Sequence, residues 1–178
     1  NGVWIREEFS DEQLANRLSK WAFNEAKLLE FLPHARDRIE ILSDLAPLGF
    51  YLISGMLQID RSDLMTSDLD EEQIIQVLQY LIWRLEGLKD WNREEILSAC
   101  NFVSTMMDLK LKICLGPVFM ALSGSVVSIS VMDSMCLLGR EMSLARLRHA
   151  LELMGGVGKK KQKKLEKTFN DAVSSALI

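Results

Sequence analysis

Residues 70–87 read DEEQIIQVLQYLIWRLEG, and this stretch decides the fold class. Asp70 and Gln73 form a capping-box pattern, in which each side chain can accept from a free backbone N–H of the first helical turn. Apolar residues then recur at helical spacing until Gly87, a residue type at which helices commonly end. They are Ile74, Val77, Leu78, Leu81, Ile82 and Leu85. The stretch therefore predicts an amphipathic helix with a wide buried face.

Upstream of this helix, a second capping-box pattern begins the first predicted helix of the chain. Ser10 and Gln13 have the same spacing, and apolar residues follow at helical intervals until Pro33. We expect a shorter helix from about Ala35 to Leu42. Residues 55–69 mix Gly, Asp, Ser and Thr without a period, which favours a linker.

Downstream, further helical signals follow one another to the end of the chain. Asn92 with Glu95 predicts the start of the next helix, and Pro117 suits the first turn of another. Gly139 is a candidate C′ glycine between two more helices, and apolar residues of 165–177 share one face, which predicts a docked C-terminal helix. Since strand alternation is nearly absent, we predict an all-α protein of about seven or eight helices, a helical bundle or superhelical cage.

The composition of the 178 residues limits the possible partners. With 48% hydrophobic residues the chain can bury a core, and a net charge of -4 argues against non-specific DNA binding. Residues 113–132 carry no charge but contain too many Gly, Pro and Ser residues for a membrane span, so we expect a buried turn there. Three widely spaced cysteines are typical of reduced, buried thiols in a cytoplasmic protein.

Patterns of catalytic or metal-binding residues are lacking in the sequence. His34 and His149 have no Cys or acidic residue at metal-ligand spacing, and both are expected to be surface or hydrogen-bonded histidines. The glycines of 155–158 precede Lys159, but the spacing, the next residue and the missing strand do not fit a phosphate loop. We therefore expect no catalytic residue and no metal site in this chain.

Several strings resemble those of bacterial glutamyl-tRNA synthetases, in the same order and at nearly the same spacing. They are Asn1-Gly2-Val3-Trp4-Ile5-Arg6, Arg36-Asp37-Arg38-Ile39-Glu40-Ile41-Leu42, Ala121-Leu122-Ser123-Gly124, Leu137-Leu138-Gly139-Arg140-Glu141 and Leu144-Ala145-Arg146-Leu147. The resemblance covers about residues 1–154. The tail from Gly155 to Ile178 is expected to lie outside the shared pattern.

This resemblance implies that the chain is the helical, anticodon-binding C-terminal region of a glutamate-tRNA ligase. Residues 1–66 and 67–154 would be two helical subdomains, and 155–178 a basic loop with a C-terminal helix. The parent enzyme would use ATP and Mg²⁺ in a catalytic domain whose motifs are absent here, so whether this fragment is itself an enzyme stays open. The implied partner is tRNA-Glu, with tRNA-Gln as a second candidate, and the implied protein is a cytoplasmic monomer with no DNA or membrane partner.

The first candidate tRNA-binding residues lie in the Arg36–Leu42 string. Arg38 matches the family arginine that reads the last anticodon base, and Arg36 shares its string. A guanidinium fork suits a base edge or a phosphate. The alternative for Arg38 is a solvated residue that pairs with Asp37 or Glu40.

The second subdomain departs from the family pattern at two positions. Phe119 stands where the family has an arginine, and Ser128 is followed by Ile129 where a proline is common. Phe119 could stack on an unpaired base or belong to the core. Reading of the other anticodon bases through this subdomain is therefore open.

The remaining candidates are basic. Arg140 and Arg146 match family positions, although a charged helix face would also explain them. Lys159, Lys160 and Lys161 belong to a lysine run that could contact the tRNA backbone, or could be a solvated loop before the last helix. A rival hypothesis for the whole chain is a helical protein-interaction domain that kept this fold but lost anticodon recognition.

Overall fold

The computed structural model describes residues 10–22, 25–66, 68–125 and 128–175. Within these ranges the chain forms α-helices and short 3₁₀ turns and contains no β-strand. The all-α prediction is confirmed. The string at Asn1–Arg6 lies outside the described residues.

Nine α-helices are present in the described ranges, against the seven or eight that we expected. They are α1 (Asp11–Ala22), α2 (Glu25–Ala35), α3 (Leu45–Gly49), α4 (Arg61–Leu64), α5 (Glu71–Glu86), α6 (Arg93–Met106), α7 (Leu111–Ser123), α8 (Val131–Leu153) and α9 (Lys159–Ser175). Three 3₁₀ turns lie at Arg36–Arg38, Leu42–Asp44 and Phe50–Leu52.

The predicted helix caps are present with the expected geometry. The Gln73 N–H donates to Asp70 Oδ1 at 2.8 Å, and the Asp70 N–H donates to Gln73 Oε1 at 3.0 Å. Ser10 and Gln13 form the same reciprocal pair before α1. At the start of α6, Asn92 Oδ1 accepts from the Glu95 N–H at 2.9 Å. These bonds satisfy N–H groups that a helix cannot pair internally, which is why the pattern located the helix starts correctly.

The predicted helix from Ala35 to Leu42 was wrong. The chain makes a 3₁₀ turn that ends at Arg38, and both Ile39 and Ile41 are extended. The Asp44 carboxylate accepts from the backbone N–H groups of Glu40 and Ile41, at 2.9 and 3.1 Å. These bonds hold the pKa of Asp44 below its ordinary value. A side chain that accepts from backbone N–H groups in this way competes with the hydrogen bonds of a helix. Here the side-chain bonds form and the helix does not.

Two other local expectations also need correction. Pro117 lies inside α7 and not in its first turn, since this helix already begins at Leu111. Pro117 is buried, so packing offsets the hydrogen bond that a proline cannot make. Residues 55–69 are not a linker, because they contain α4 and the buried side chains of Ile59, Leu64 and Leu69.

The break predicted at Gly139 is confirmed. Its φ of 77° and ψ of 168° interrupt the helical backbone within α8. Gly124 has a φ of 63° and ends α7 before the loop that leads to α8, so the uncharged stretch of residues 113–132 is divided between two helices. In the described part of the chain no helix is long and apolar enough to cross a membrane.

Two hydrophobic cores lie side by side. The large core is built mainly by α5 to α8, with contributions from α4 and α9. The small core consists of Phe31, Ala35, Leu48, Tyr51 and Ile129. Ile129 comes from the loop between α7 and α8, so a residue distant in sequence completes the small core. Leu57 packs against both clusters. The chain therefore passes from the small core to the large core before residue 66, where the sequence predicted the boundary between subdomains.

The C-terminal helix α9 docks as expected. Leu165 is buried, and Phe169 lies among three aromatic rings. Its ring centroid is 6.1 Å from Tyr80, 5.5 Å from Trp83 and 5.8 Å from Phe102. The lysine run is not a loop, because it forms the first two turns of α9.

Two buried thiols should make the protein less stable in alkali. Burial raises the pKa of Cys100 to about 12 and of Cys114 to about 11, from an ordinary value of 9.0. Between pH 9 and 11 the unfolded chain loses these protons while the folded chain keeps them. The free energy of unfolding should therefore fall as pH rises, by at most about 1.4 kcal/mol per pH unit for each thiol.

Urea denaturation between pH 8 and 11 measures this decline. The double variant Cys100→Ala and Cys114→Ala should show a shallower fall over the same window. An unchanged slope in the variant would contradict the assignment of the effect to these thiols.

Candidate nucleic-acid interface

Two candidate residues that are 90 positions apart in sequence meet in the structure. Arg38 Nη1 donates to the backbone oxygen of Ser128 at 2.5 Å. Arg38 ends the first 3₁₀ turn and its side chain is exposed, whereas Ser128 is buried in the loop before α8. The hydrogen bond orients the guanidinium and uses one of its five donors.

Three side chains contact Asp133, which follows Ser128 by five residues in the sequence. Asp133 Oδ1 accepts from Arg93 Nε at 3.1 Å, and Oδ2 lies 3.6 Å from His34 Nδ1. Ser130 caps α8 and donates to Asp133 Oδ2 at 2.5 Å. We call Arg38, Ser128, His34, Asp133 and Arg93 the polar seam, since they join the small-core region to α6 and α8. The seam contains two arginines and one carboxylate, and Arg38 is exposed and, in the described part of the chain, not paired to that carboxylate, so the seam favours an anionic partner.

A buried pair of hydroxyl groups lies next to the polar seam, because Ser134 follows Asp133 in α8. Tyr51 Oη and Ser134 Oγ are 2.7 Å apart, and burial raises the pKa of Tyr51 above its ordinary value. Arg36, the neighbouring candidate, is exposed. The structure thus brings Arg38 and Ser128 together and leaves Arg36 on the surface.

Phe119 lies half-buried at the wall of an open groove. The groove has a volume near 680 Å³ and is lined by Asp63, Met65, Thr66, Leu111, Lys112, Leu115, Gly116, Phe119, Met120 and Val131. Phe119 also packs against the large core. Thr66 Oγ1 is buried and has no hydrogen-bond partner among the described residues. The groove therefore combines an aromatic side chain with a buried polar atom that lacks a partner.

Arg140 contacts a segment about 50 residues earlier in the sequence. Its Nη2 donates to the backbone oxygens of Leu88 and Lys89, at 2.7 and 3.2 Å, just after α5 ends. Its guanidinium carbon also lies 5.3 Å from the centre of the Trp91 ring. These contacts tie α8 to the turn that follows α5.

Arg146 faces inward, contrary to the expectation of a tRNA contact. Its side chain is 1% exposed. Nε donates to the Gly55 oxygen at 2.9 Å and Nη2 to the Tyr51 oxygen at 2.5 Å, while Nη1 donates to the Leu122 oxygen. Burial lowers the pKa of Arg146 to about 10, so it stays charged at neutral pH. In this arrangement Arg146 binds protein carbonyls and is not available to a ligand.

The helical spacing contained a signal for this burial. Ser143 and Ala150 are buried and lie three residues before and four after Arg146 on α8. Positions with that spacing share one helix face. The spacing is therefore compatible with a buried Arg146, although its charge favoured the surface interpretation.

The lysine run presents an exposed cationic surface. Lys159, Lys160, Lys163 and Lys164 are exposed, and we call them the lysine patch. Lys161 is half-buried and its Nζ lies 3.5 Å from Glu72 Oε1. Cations at a helix N-terminus are unfavourable because the helix dipole is positive there, and lysines four apart repel one another. The patch is therefore locally unfavourable in the free protein, and an anion would relieve it.

A protein-family model and several curated relatives match most of this chain. The model of a family described as "Anticodon binding domain" matches residues 13–151. A protein named glutamate-tRNA ligase from Cellvibrio japonicus is 46% identical over 169 residues, which is 95% of this chain and 34% of that protein. Those of Marinobacter nauticus and Pseudomonas putida (strain GB-1) are 44% and 40% identical, over 95% and 94% of this chain.

The chain thus spans about a third of the length of these curated relatives. The matches also correct our view of the tail. With 169 of the 178 residues covered, only nine lie outside, so most of residues 155–178 belongs to the shared region. No short motif in the tail indicates this similarity.

Proposed function

Because this chain belongs to the anticodon-binding domain family, we propose that it binds the anticodon arm of tRNA-Glu as the C-terminal part of a glutamate-tRNA ligase. The complete protein would be a cytoplasmic monomer that charges its tRNA with ATP and Mg²⁺ in a part outside this chain. The observation that carries the proposal is the polar seam, where an exposed arginine is oriented by a loop of the other subdomain.

Arg38 is suited to reading an unpaired base. Its bond to the Ser128 oxygen restricts the guanidinium, so less side-chain freedom is lost when a base binds. Single-stranded loops expose the base edges that such a fork can recognise. We assign Arg38 to the last anticodon base, and Arg36, exposed in the same turn, to the adjacent backbone.

The Phe119 groove would hold another base of the anticodon loop. A half-buried ring at an open wall offers a stacking surface, and Thr66 Oγ1 is a buried atom that can still form a hydrogen bond. Lys112 lies among the lining residues and can contact a phosphate. In this assignment, base stacking on Phe119 replaces the polar contact that the family arginine would make.

Replacing Phe119 by alanine tests that assignment. We expect tRNA binding to weaken by about 1–3 kcal/mol, the usual worth of one base stacked on an aromatic ring. Phe119→Tyr should keep most of the affinity, and fluorescence anisotropy with a labelled transcript measures both. The matched control is Met120→Ala, which truncates a half-buried neighbour in the same groove. Equal losses in the two alanine variants would assign Phe119 to the core.

The lysine patch should contact phosphates without reading sequence. Replacing Lys159, Lys160, Lys163 and Lys164 by glutamine should reduce the slope of log affinity against log salt by about three, because each contact releases a fraction of a counterion. The change should be the same for all anticodons. Titration at several salt concentrations measures the slope, with the exposed lysines Lys89 and Lys110 changed to glutamine as the control. A slope that matches wild type would remove the patch from the interface.

Titration with altered transcripts tests the proposal as a whole. The chain should bind a tRNA-Glu transcript more tightly than one with a changed anticodon, by about tenfold or more for a base read by a bidentate contact. A tRNA-Gln transcript in the same assay would show whether the second candidate tRNA is accepted. Equal affinities for all anticodons would contradict anticodon reading.

The rival proposal is a helical interaction domain that has lost anticodon recognition. It is favoured by the inward-facing Arg146 and by Phe119, which replaces a polar family residue. It predicts no dependence on the anticodon, so the same titration separates the two proposals.

A further inference from the structure

One buried arginine connects both candidate base-reading surfaces. We infer that Arg146 is a positioning residue, which holds the polar seam and the Phe119 groove at the separation that anticodon reading requires. This inference rests on the proposed function, because it assigns a role in that recognition to a residue that cannot touch the tRNA.

The first connection runs to Arg38 through the small core. Arg146 donates to the Tyr51 and Gly55 oxygens, which lie in and just after the third 3₁₀ turn. The Tyr51 side chain packs in the small core with Phe31 and Ala35 of α2. Arg38 is the third residue after Ala35, so the position of this core determines where the exposed guanidinium can reach.

The second connection runs to the groove and to the seam loop. Arg146 donates to the Leu122 oxygen in the last turn of α7. Phe119 lies one turn earlier, and Ser123 Oγ donates to its backbone oxygen at 2.9 Å. Ser128 lies shortly after this turn and accepts from Arg38. A single guanidinium therefore fixes the segments that carry all three candidate residues.

The chemistry of the side chain supports positioning over simple packing. A buried charge is costly to desolvate, and apolar side chains of similar volume can often replace buried ionic groups without loss of stability. What an apolar residue cannot do is direct hydrogen bonds to three carbonyls on two separate segments. The rigid, planar guanidinium has the donors to do so.

Arg146→Met is the informative variant, because methionine fills similar space without donating hydrogen bonds. Arg148→Met is its matched control, since Arg148 lies two residues further along α8, is exposed, and pairs with Glu86 at 2.7 Å. The first readout is the ratio of dissociation constants for transcripts with altered and unaltered anticodons. A loss of folded protein lowers the active fraction of both titrations equally and leaves this ratio unchanged.

The second readout needs no tRNA. Spin labels at Glu30→Cys and Asn101→Cys, two exposed positions on α2 and α6, report the distance between the two regions. Cys136→Ser removes the half-buried native thiol, and burial keeps Cys100 and Cys114 from the label and raises the pKa of both thiols. Double electron–electron resonance spectroscopy then gives the distribution of distances between the two spin labels in each variant.

For Arg146→Met we expect a broader distance distribution and a discrimination ratio that falls from about tenfold or more toward one. Arg148→Met should retain both wild-type values. A wild-type distribution and ratio in Arg146→Met would overturn the inference. If circular dichroism shows that Arg146→Met has lost its helices, Arg146→Lys is used instead. Loss of helicity in Arg146→Lys as well would overturn the inference, because Arg146 would then be required for folding.

Failure of the proposed function would look different. If the wild-type chain shows no anticodon dependence, that proposal fails, and the spin-label distances still decide whether Arg146 holds the two regions together.

Discussion

Replacing Arg38 by lysine is expected to reduce discrimination at the last anticodon base by about 1–3 kcal/mol, the usual worth of a bidentate arginine contact to a base. Lysine keeps the positive charge, so general attraction to the tRNA backbone should persist. It lacks the planar fork, so it cannot present two parallel donors to a base edge. The expected change is therefore a loss of selectivity with little change in salt dependence.

Competition between transcripts that differ only at the last anticodon base measures this loss. Arg61→Lys is a suitable control, because Arg61 is also exposed and its side chain pairs with Glu71. If Arg38→Lys discriminates as well as wild type, Arg38 is a surface residue whose contact with Ser128 serves the fold alone.

The second large effect is expected from Phe169→Ala, which removes the ring that anchors α9. Phenylalanine truncation in a well-packed core costs about 3–5 kcal/mol, and since Phe169 is only half-buried we expect roughly 2–3 kcal/mol of unfolding free energy. Three neighbouring rings lose their partner, of which Tyr80 is stacked at 6.1 Å. Without this anchor the lysine patch should lose its fixed position, so the salt slope of tRNA binding should fall as well.

Denaturant unfolding followed by tryptophan fluorescence measures the loss, since Trp83 contacts Phe169 directly. Hydrogen exchange in α9 should accelerate in the variant while exchange in α5 changes little. Asn170→Ala, an exposed change one residue along the same helix, is the control. Equal stability in the two variants would show that Leu165 and the remaining contacts are sufficient to dock α9.

The sequence predicted the helices correctly where the residues that determine the structure are close to one another in the chain. The start of α5 follows from Asp70 and Gln73 because both partners lie within one helical turn. The helix predicted from Ala35 to Leu42 is absent. There Asp44, beyond the end of the predicted helix, takes the backbone N–H groups of Glu40 and Ile41.

The candidate site was less accessible from sequence, because its contacts join distant segments. Nothing in the spacing of Arg38 and Ser128 indicates that they touch, and the small core that brings them together needs Ile129 from the same loop. Arg146 was a candidate because it matches a family position, with an exposed charged helix face as the alternative, and neither interpretation predicts its burial. Its burial depends on carbonyls of Tyr51, Gly55 and Leu122 that only the folded chain assembles.

Photo-crosslinking from the anticodon loop tests most directly the claim that this region holds the anticodon. A tRNA-Glu transcript with a photoreactive uridine in that loop should form adducts with peptides that contain Arg38, Ser128 or Phe119. The same label in the acceptor stem should give none of these adducts. Anticodon-loop adducts confined to α9, or no more abundant than those from the acceptor stem, would contradict the account.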